Sequence, residues 1–294
     1  MSSSNTLPLR AGGTSLGGAR VPGAAAAPRW RDLIAAEWLK FRSLRSTFLV
    51  LAVLTGVAFF LAFGSAKQTA AGWPGVGGWM RQGIQPAHDA FFPPGFYAVM
   101  VVIGTIGAQT IVAEHASGLI RTTFIAVPRR SRVMLAKAAV LAGALTVVGA
   151  VVTAGCWQIT LAEYSNRITA YGWTTPGMAR VFVATVLLFP LTGLIGLAIG
   201  TVVRHTAVAI FAMVANFWVM PIGISAVDDV LGTHIFGHIS DTLPENGWLL
   251  LTTIGSTDHI VGGHPSATEA WISYAAWALA ALAIIAFVPR QRDV

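Results

Sequence analysis

Charge is what this chain has least of. Asp, Glu, Lys and Arg together make up 11% of its 294 residues, against 55% apolar residues and a mean hydropathy of +0.68. Soluble domains carry roughly 25% charge, and so few charges cannot clothe the surface of a soluble enzyme. The same figures exclude intrinsic disorder over most of the chain. Cysteine is nearly absent as well. The single Cys156 excludes an internal disulfide and a cysteine-based zinc cluster, and it leaves the redox compartment open. None of the three lysines, Lys40, Lys67 and Lys137, follows a glycine. A G-x-x-x-x-G-K-[ST] phosphate loop is therefore missing, and the chain cannot bind ATP by that route. The H-E-x-x-H zinc-protease string is absent too.

What remains is a polytopic membrane protein. Inside a bilayer the backbone polar groups must be satisfied within the chain, which leaves helices or closed barrels. The apolar runs here are about 19–23 residues long, the length of a spanning helix, whereas barrel strands are about 9–11 residues of alternating polarity. The expected fold is all-α. Six transmembrane helices are placed near Ser46–Ala66, Gly95–Ala113, Ala138–Ile159, Val181–Val203, Ala207–Val227 and Ala270–Val288. The fourth and fifth are separated only by a few residues up to Thr206, so they form a tight antiparallel hairpin. Residues 1–28, rich in Gly, Ala, Ser and Pro, read as a disordered tail without the apolar core of a signal peptide. Residues 29–45 read as an interfacial helix, 46–288 as the membrane domain and 289–294 as a cytoplasmic tail. In the interfacial helix, Trp30, Ile34, Trp38, Phe41 and Leu44 follow helical spacing, with Arg31, Lys40, Arg42 and Arg45 at polar positions.

Orientation follows from the cations. With the N-terminus inside, fifteen of the nineteen lysines and arginines fall on the inner side, and only Lys67, Arg81, Arg167 and Arg180 fall outside. Eight of the twelve acids, Asp89 and Glu245 among them, fall outside. Both termini are thus expected in the cytoplasm, and the high pI reports orientation rather than nucleic-acid binding. The spans are nearly free of ionisable residues, which argues against a carrier powered by its own proton or sodium chemistry.

The most informative stretch is the inner loop from Glu114 to Lys137. Glu114 follows the last apolar residue of span two, at the negative end of a helix dipole. Gly118 permits a turn. Arg121–Val127 forms a short surface helix stopped by Pro128, Arg129, Arg130 and Arg132 follow, and Lys137 opens span three. A basic inner loop arises from topology alone, with arginines touching lipid phosphates. It also suits a lever that docks into a cytoplasmic partner.

Glu114, then Gly118, then Arg121-Thr122-Thr123, then Pro128-Arg129-Arg130 and a later Lys137 resemble the permease subunits of type-2 ABC exporters. The upstream AEWLKFRSLRST, residues 36–47, resembles their "elbow" helix. The resemblance extends to the six-span plan with both ends inside, over most of the chain after Trp30. It implies a permease subunit of the bacterial inner (plasma) membrane that is not itself an enzyme and holds no cofactor. Two protomers would pair, most simply as a homodimer. An ABC ATPase dimer on the cytoplasmic side would bind ATP and Mg. The ATPase-coupling residues carried over are Glu114, Gly118, Arg121, Thr122, Pro128, Arg129 and Lys137. Those of the elbow are Glu37, Lys40, Arg42 and Arg45. A cleft walled by apolar and small residues suits lipophilic or amphipathic cargo.

Other features have mainly structural readings. Leu243-Pro244 begins an apolar stretch in the long outer loop and is expected to open a short re-entrant helical hairpin over the outer side. His234 and His238 are four apart, a metal-like spacing without a clear third ligand. Gly193, Gly196 and Gly200 mark close helix packing or the dimer face, and Asn216 is expected to hydrogen-bond between helices. Pro190 and Pro221 are tolerated inside spans four and five. Competing readings are a non-transporting membrane scaffold or sensor subunit that anchors a cytoplasmic partner, and an intramembrane enzyme using the outer histidines.

Overall fold

A computed structural model describes residues 29–75, 77, 85–127, 129–165, 168, 172–231, 240–254 and 266–291. All regular elements among them are helical. The N-terminal helix α1 (Trp30–Ser43) is followed by α2 (Arg45–Gly72), a 3-10 turn and the short α3 (Pro86–Ala90). Then come α4 (Pro93–Ala116), α5 (Leu119–Ala126), α6 (Arg130–Tyr164) and α7 (Met178–Val203). Next, α8 (Thr206–Val214) passes through a π turn into α9 (Met220–Leu231). The chain continues with α10 (Pro244–Thr252) and α11 (Ala267–Gln291). Six helices are long and apolar enough to cross a membrane: Arg45–Gly75, Pro93–Ala116, Arg130–Tyr164, Met178–Val203, Thr206–Ile224 and Ala267–Pro289. The tail before residue 29, Pro128, and the histidines His234 and His238 lie outside the described residues.

The centre of the bundle is α7, the most buried span, which packs against α4, α6, α10 and α11. The glycine stripe is the reason for its close contact with α4. A methyl group on Gly196 would overlap the Gly104 carbonyl, one on Gly107 would overlap the Gly193 carbonyl, and one on Gly200 would sit 2.7 Å from the Ala108 carbonyl oxygen. Backbones meet there without side chains between them. This settles the two readings of the stripe, since its glycines are buried inside one chain and are no dimer face. The tight turn between spans four and five is present. Its Arg204 takes the left-handed conformation (φ +56°), and its N–H caps α7 on the Gly200 carbonyl at 3.1 Å.

Span five is the irregular one. The π turn Ala215–Val219 ends where the Met220 N–H reaches back to the Ala215 carbonyl, one residue before Pro221 removes a donor. Such bulges accommodate a break in the α ladder. Asn216 lies in this turn, and its buried side-chain nitrogen has no hydrogen-bond partner, so the expected interhelical bond is not formed. The longest helix, α6, begins two turns before the apolar run that marks span three, so Lys137 stands inside a continuous helix rather than at its start.

Candidate functional site

Four of the residues singled out in the N-terminal helix and the inner loop, Glu37, Lys40, Glu114 and Lys137, meet in one place. On α1, Leu33, Glu37 and Phe41 follow each other at four-residue intervals and turn inward, whereas Trp30 and Trp38 are each 45% exposed. Of the apolar stripe read from the sequence, Phe41 is buried and Ile34 packs against the core, whereas Trp30, Trp38 and Leu44 are exposed. An acid replaces an apolar residue at the middle of the inner face because two lysines are waiting for it. Lys137, on α6, donates to Glu37 at 2.5 Å and to Glu114 at 2.8 Å. Lys40 donates to Glu37 at 2.7 Å and to Glu114 at 3.2 Å. Glu37, Glu114 and Lys137 are buried and Lys40 is partly exposed. Two ammonium and two carboxylate groups alternate, so the quartet carries no net charge. The position of Glu114 at the negative end of α4 is offset by both lysines. Burial pulls the Lys40 ammonium downward, but its hydrogen bond to Glu37 and the charges of Glu114 and Glu37 outweigh that and hold its pKa above the usual 10.5.

The quartet clamps α1, the end of α4 and the start of α6 together. Between the last two runs α5. Gly118, with φ +70°, supplies the left-handed turn that starts it. Ile120 and Phe124 are buried, while Leu119, Thr122 and Ile125 face outward, Ile125 at 82% exposure. Thr122 closes its hydroxyl on the Leu119 carbonyl at 2.8 Å, so it stays within the helix. Arg130 caps the assembly from below. Its guanidinium lies 5.4 Å from the Phe124 ring centre and reaches the Pro289 carbonyl at 3.3 Å. Arg129, Arg132, Arg42 and Arg45 are exposed and take no part in the quartet. The structure thus brings Glu37, Lys40, Glu114 and Lys137 together, puts Gly118 and Thr122 on the adjoining helix with Arg121 in its backbone, and leaves the other arginines at the surface.

The opposite end of the bundle holds groups that the sequence did not single out. Asp89, on α3, accepts from Ser65 at 2.7 Å and from the Tyr164 hydroxyl, tying α2, α3 and α6. The expected Leu243-Pro244 turn does begin a helix, α10, with Pro244 at its first position. Its Trp248 is fully buried, stacks on Phe96 at 5.3 Å and donates to Thr185 at 3.2 Å. Arg180 holds the other end of α10 through the carbonyls of Leu251 (3.2 Å) and Thr253 (2.6 Å), and Ile254 N–H donates to Gln85 at 2.8 Å. Near the surface between α2 and α4 lies an apolar cleft of about 330 Å³, walled by residues such as Val53, Val57, Leu61, Ala98 and Val102. Among the described residues no group of three His, Cys, Asp or Glu side chains is placed to hold a metal ion.

No protein-family model matches the chain, and no curated protein matches it.

Proposed function

We propose that the chain is the membrane-spanning subunit of an ATP-driven exporter of the type-2 ABC class, moved by a separate ATPase that docks on α5. The observation that carries this reading is the buried quartet. It joins an interfacial helix, the end of one span and the start of another into a single unit, with an amphipathic helix seated on its edge. A partner that grips Leu119, Thr122 and Ile125 of α5 cannot shift that helix without shifting α4 and α6. This is how a soluble motor moves a membrane cleft. Exposed Arg129 supplies a cation beside the docking face for a partner carboxylate.

In this reading both termini and α5 face the cytoplasm, as the distribution of lysine and arginine requires, and the protein lies in the bacterial plasma membrane. Two copies pair around a central path. The apolar cleft between α2 and α4 suits a lipophilic or amphipathic cargo, since it offers almost no polar groups.

The test is site-specific crosslinking. A photoreactive residue at Ile125, in the full-length protein in its native membrane, is expected to capture a polypeptide with a phosphate loop. The R129E substitution should lower the yield at least about threefold, since a charge-assisted contact is worth about 1 kcal/mol or more. Capture of lipid alone, or labelling of residues 114–137 from outside the cell, would overturn the reading.

A further inference from the structure

Glu245 is fully buried, more so than any other charged side chain among the described residues. It stands in the first turn of α10, just after Pro244. Among the described residues neither of its carboxylate oxygens has a hydrogen-bond partner in another residue, and no ion pair reaches it. The groups around it are known from each neighbouring helix. From α4 and α11 the titratable groups that face it are Tyr97 and Tyr274. Tyr97 packs edge-on against Trp248, and Tyr274 against Trp271. From α7 the charged group is Arg180, but its guanidinium is held on carbonyls at the far end of α10. Glu269, at the start of α11, accepts from the Ser266 N–H, and Asp89 of α3 turns to Ser65 and Tyr164. Among the described residues no lysine or arginine compensates Glu245.

An isolated ionised carboxylate is too costly in such surroundings, and the group neutralises itself instead. We propose that Glu245 is a proton-binding site: it holds a proton while α10 is packed down and releases it to the adjoining aqueous phase when α10 lifts. The carboxylic acid loses H⁺ to water and becomes a carboxylate, with nothing else exchanged. That this aqueous phase is the outer one, which would make α10 a proton-linked outer gate, rests on the export reading above. The linkage itself does not.

Burial pushes the Glu245 pKa up from 4.5 to about 7, against a smaller opposing pull from its own backbone N–H. Once lifted into water the group returns to its ordinary value. Below about pH 4.5 both positions of α10 keep the proton, and packing is at its firmest. Between about 4.5 and about 7 only the packed form keeps it, so packing weakens about tenfold per pH unit. Above about 7 both forms are ionised and the dependence levels off.

The experiment uses the full chain in lipid nanodiscs. Amide exchange of residues 244–252, corrected for the intrinsic chemical rate, is expected to be at least about tenfold faster at about pH 7.5 than at about pH 5. In E245Q the corrected rate should be flat. Infrared spectra at about pH 5.5 should contain a protonated-carboxyl C=O band that E245Q removes. If E245Q does not assemble, E245S serves the same comparisons. An unchanged band, or an exchange response that persists in the variant, would overturn the proposal. Neither readout needs an ATPase. Failure to find that partner would sink the export reading and leave this one standing.

Discussion

Lys137 is the residue on which the quartet turns, since it alone is buried and bonded to both acids. Replacing it with methionine leaves Glu37 and Glu114 sharing only the half-exposed Lys40. Removing one partner of a buried pair costs about 3–5 kcal/mol, so K137M should lower the unfolding midpoint in detergent by several degrees. R132M, a change at the exposed surface, should leave the midpoint nearly where it is. The pH response has a definite sign. Lys40 has a pKa raised by its acids, so its share of stability is complete below the free-lysine value of 10.5 and is lost as pH rises beyond it. In unfolding followed by circular dichroism, the stability difference between wild type and K40M should be present at neutral pH and should not vary with pH there. Above about pH 10.5 the wild type should lose stability faster than K40M. The four members of the quartet were each legible in the sequence, two from the upstream basic helix and two from the loop. Their pairing was not, because Glu37 and Lys137 lie a hundred positions apart and no periodicity connects them. Glu245 was legible only as one more outer acid. Its burial depends on rings delivered by α4 and α11, which no local pattern reveals.

At the scale of elements, the six spans were legible because each is an uninterrupted apolar run, and their ends were less so. The start of α6 was missed by two turns. Arg130 and Arg132 are good helix formers even where the apolar signal stops, and the quartet anchors that extension. The inward face of α1 was not legible for a related reason. The side packed on the bundle carries Leu33, Glu37 and Phe41, and its paired acid scores as polar by hydropathy. The glycines of α7 give a sharp test of packing. Gly196→Ala places a methyl group against the Gly104 backbone, which cannot rotate away, and overpacking of this kind costs about 1–3 kcal/mol or more. Gly143→Ala on α6 meets no atom within 4 Å, so it should be neutral or slightly stabilising. Parallel thermal scans of the two variants should differ in direction. The π turn of span five was not legible at all, although Pro221 signalled that some break in the ladder had to be accommodated.

For the whole molecule, orientation can be read with thiol chemistry. Cys156 is buried, so the natural background is silent. A T122C variant in intact cells should resist a membrane-impermeant maleimide and react once the cells are opened, whereas N246C should react from outside. The opposite pattern would invert the topology that the cation count predicts. The fold also explains how two ends of the bundle could act together. Helix α6 runs through 35 residues without a proline, with Lys137 in the quartet near one end and Tyr164 on Asp89 at the other. These two anchor points are about 40 Å apart at 1.5 Å per residue. A stiff rod pinned at both extremities behaves as a seesaw: a nudge at its lower bearing swings the upper one, and the bilayer between them need not bend.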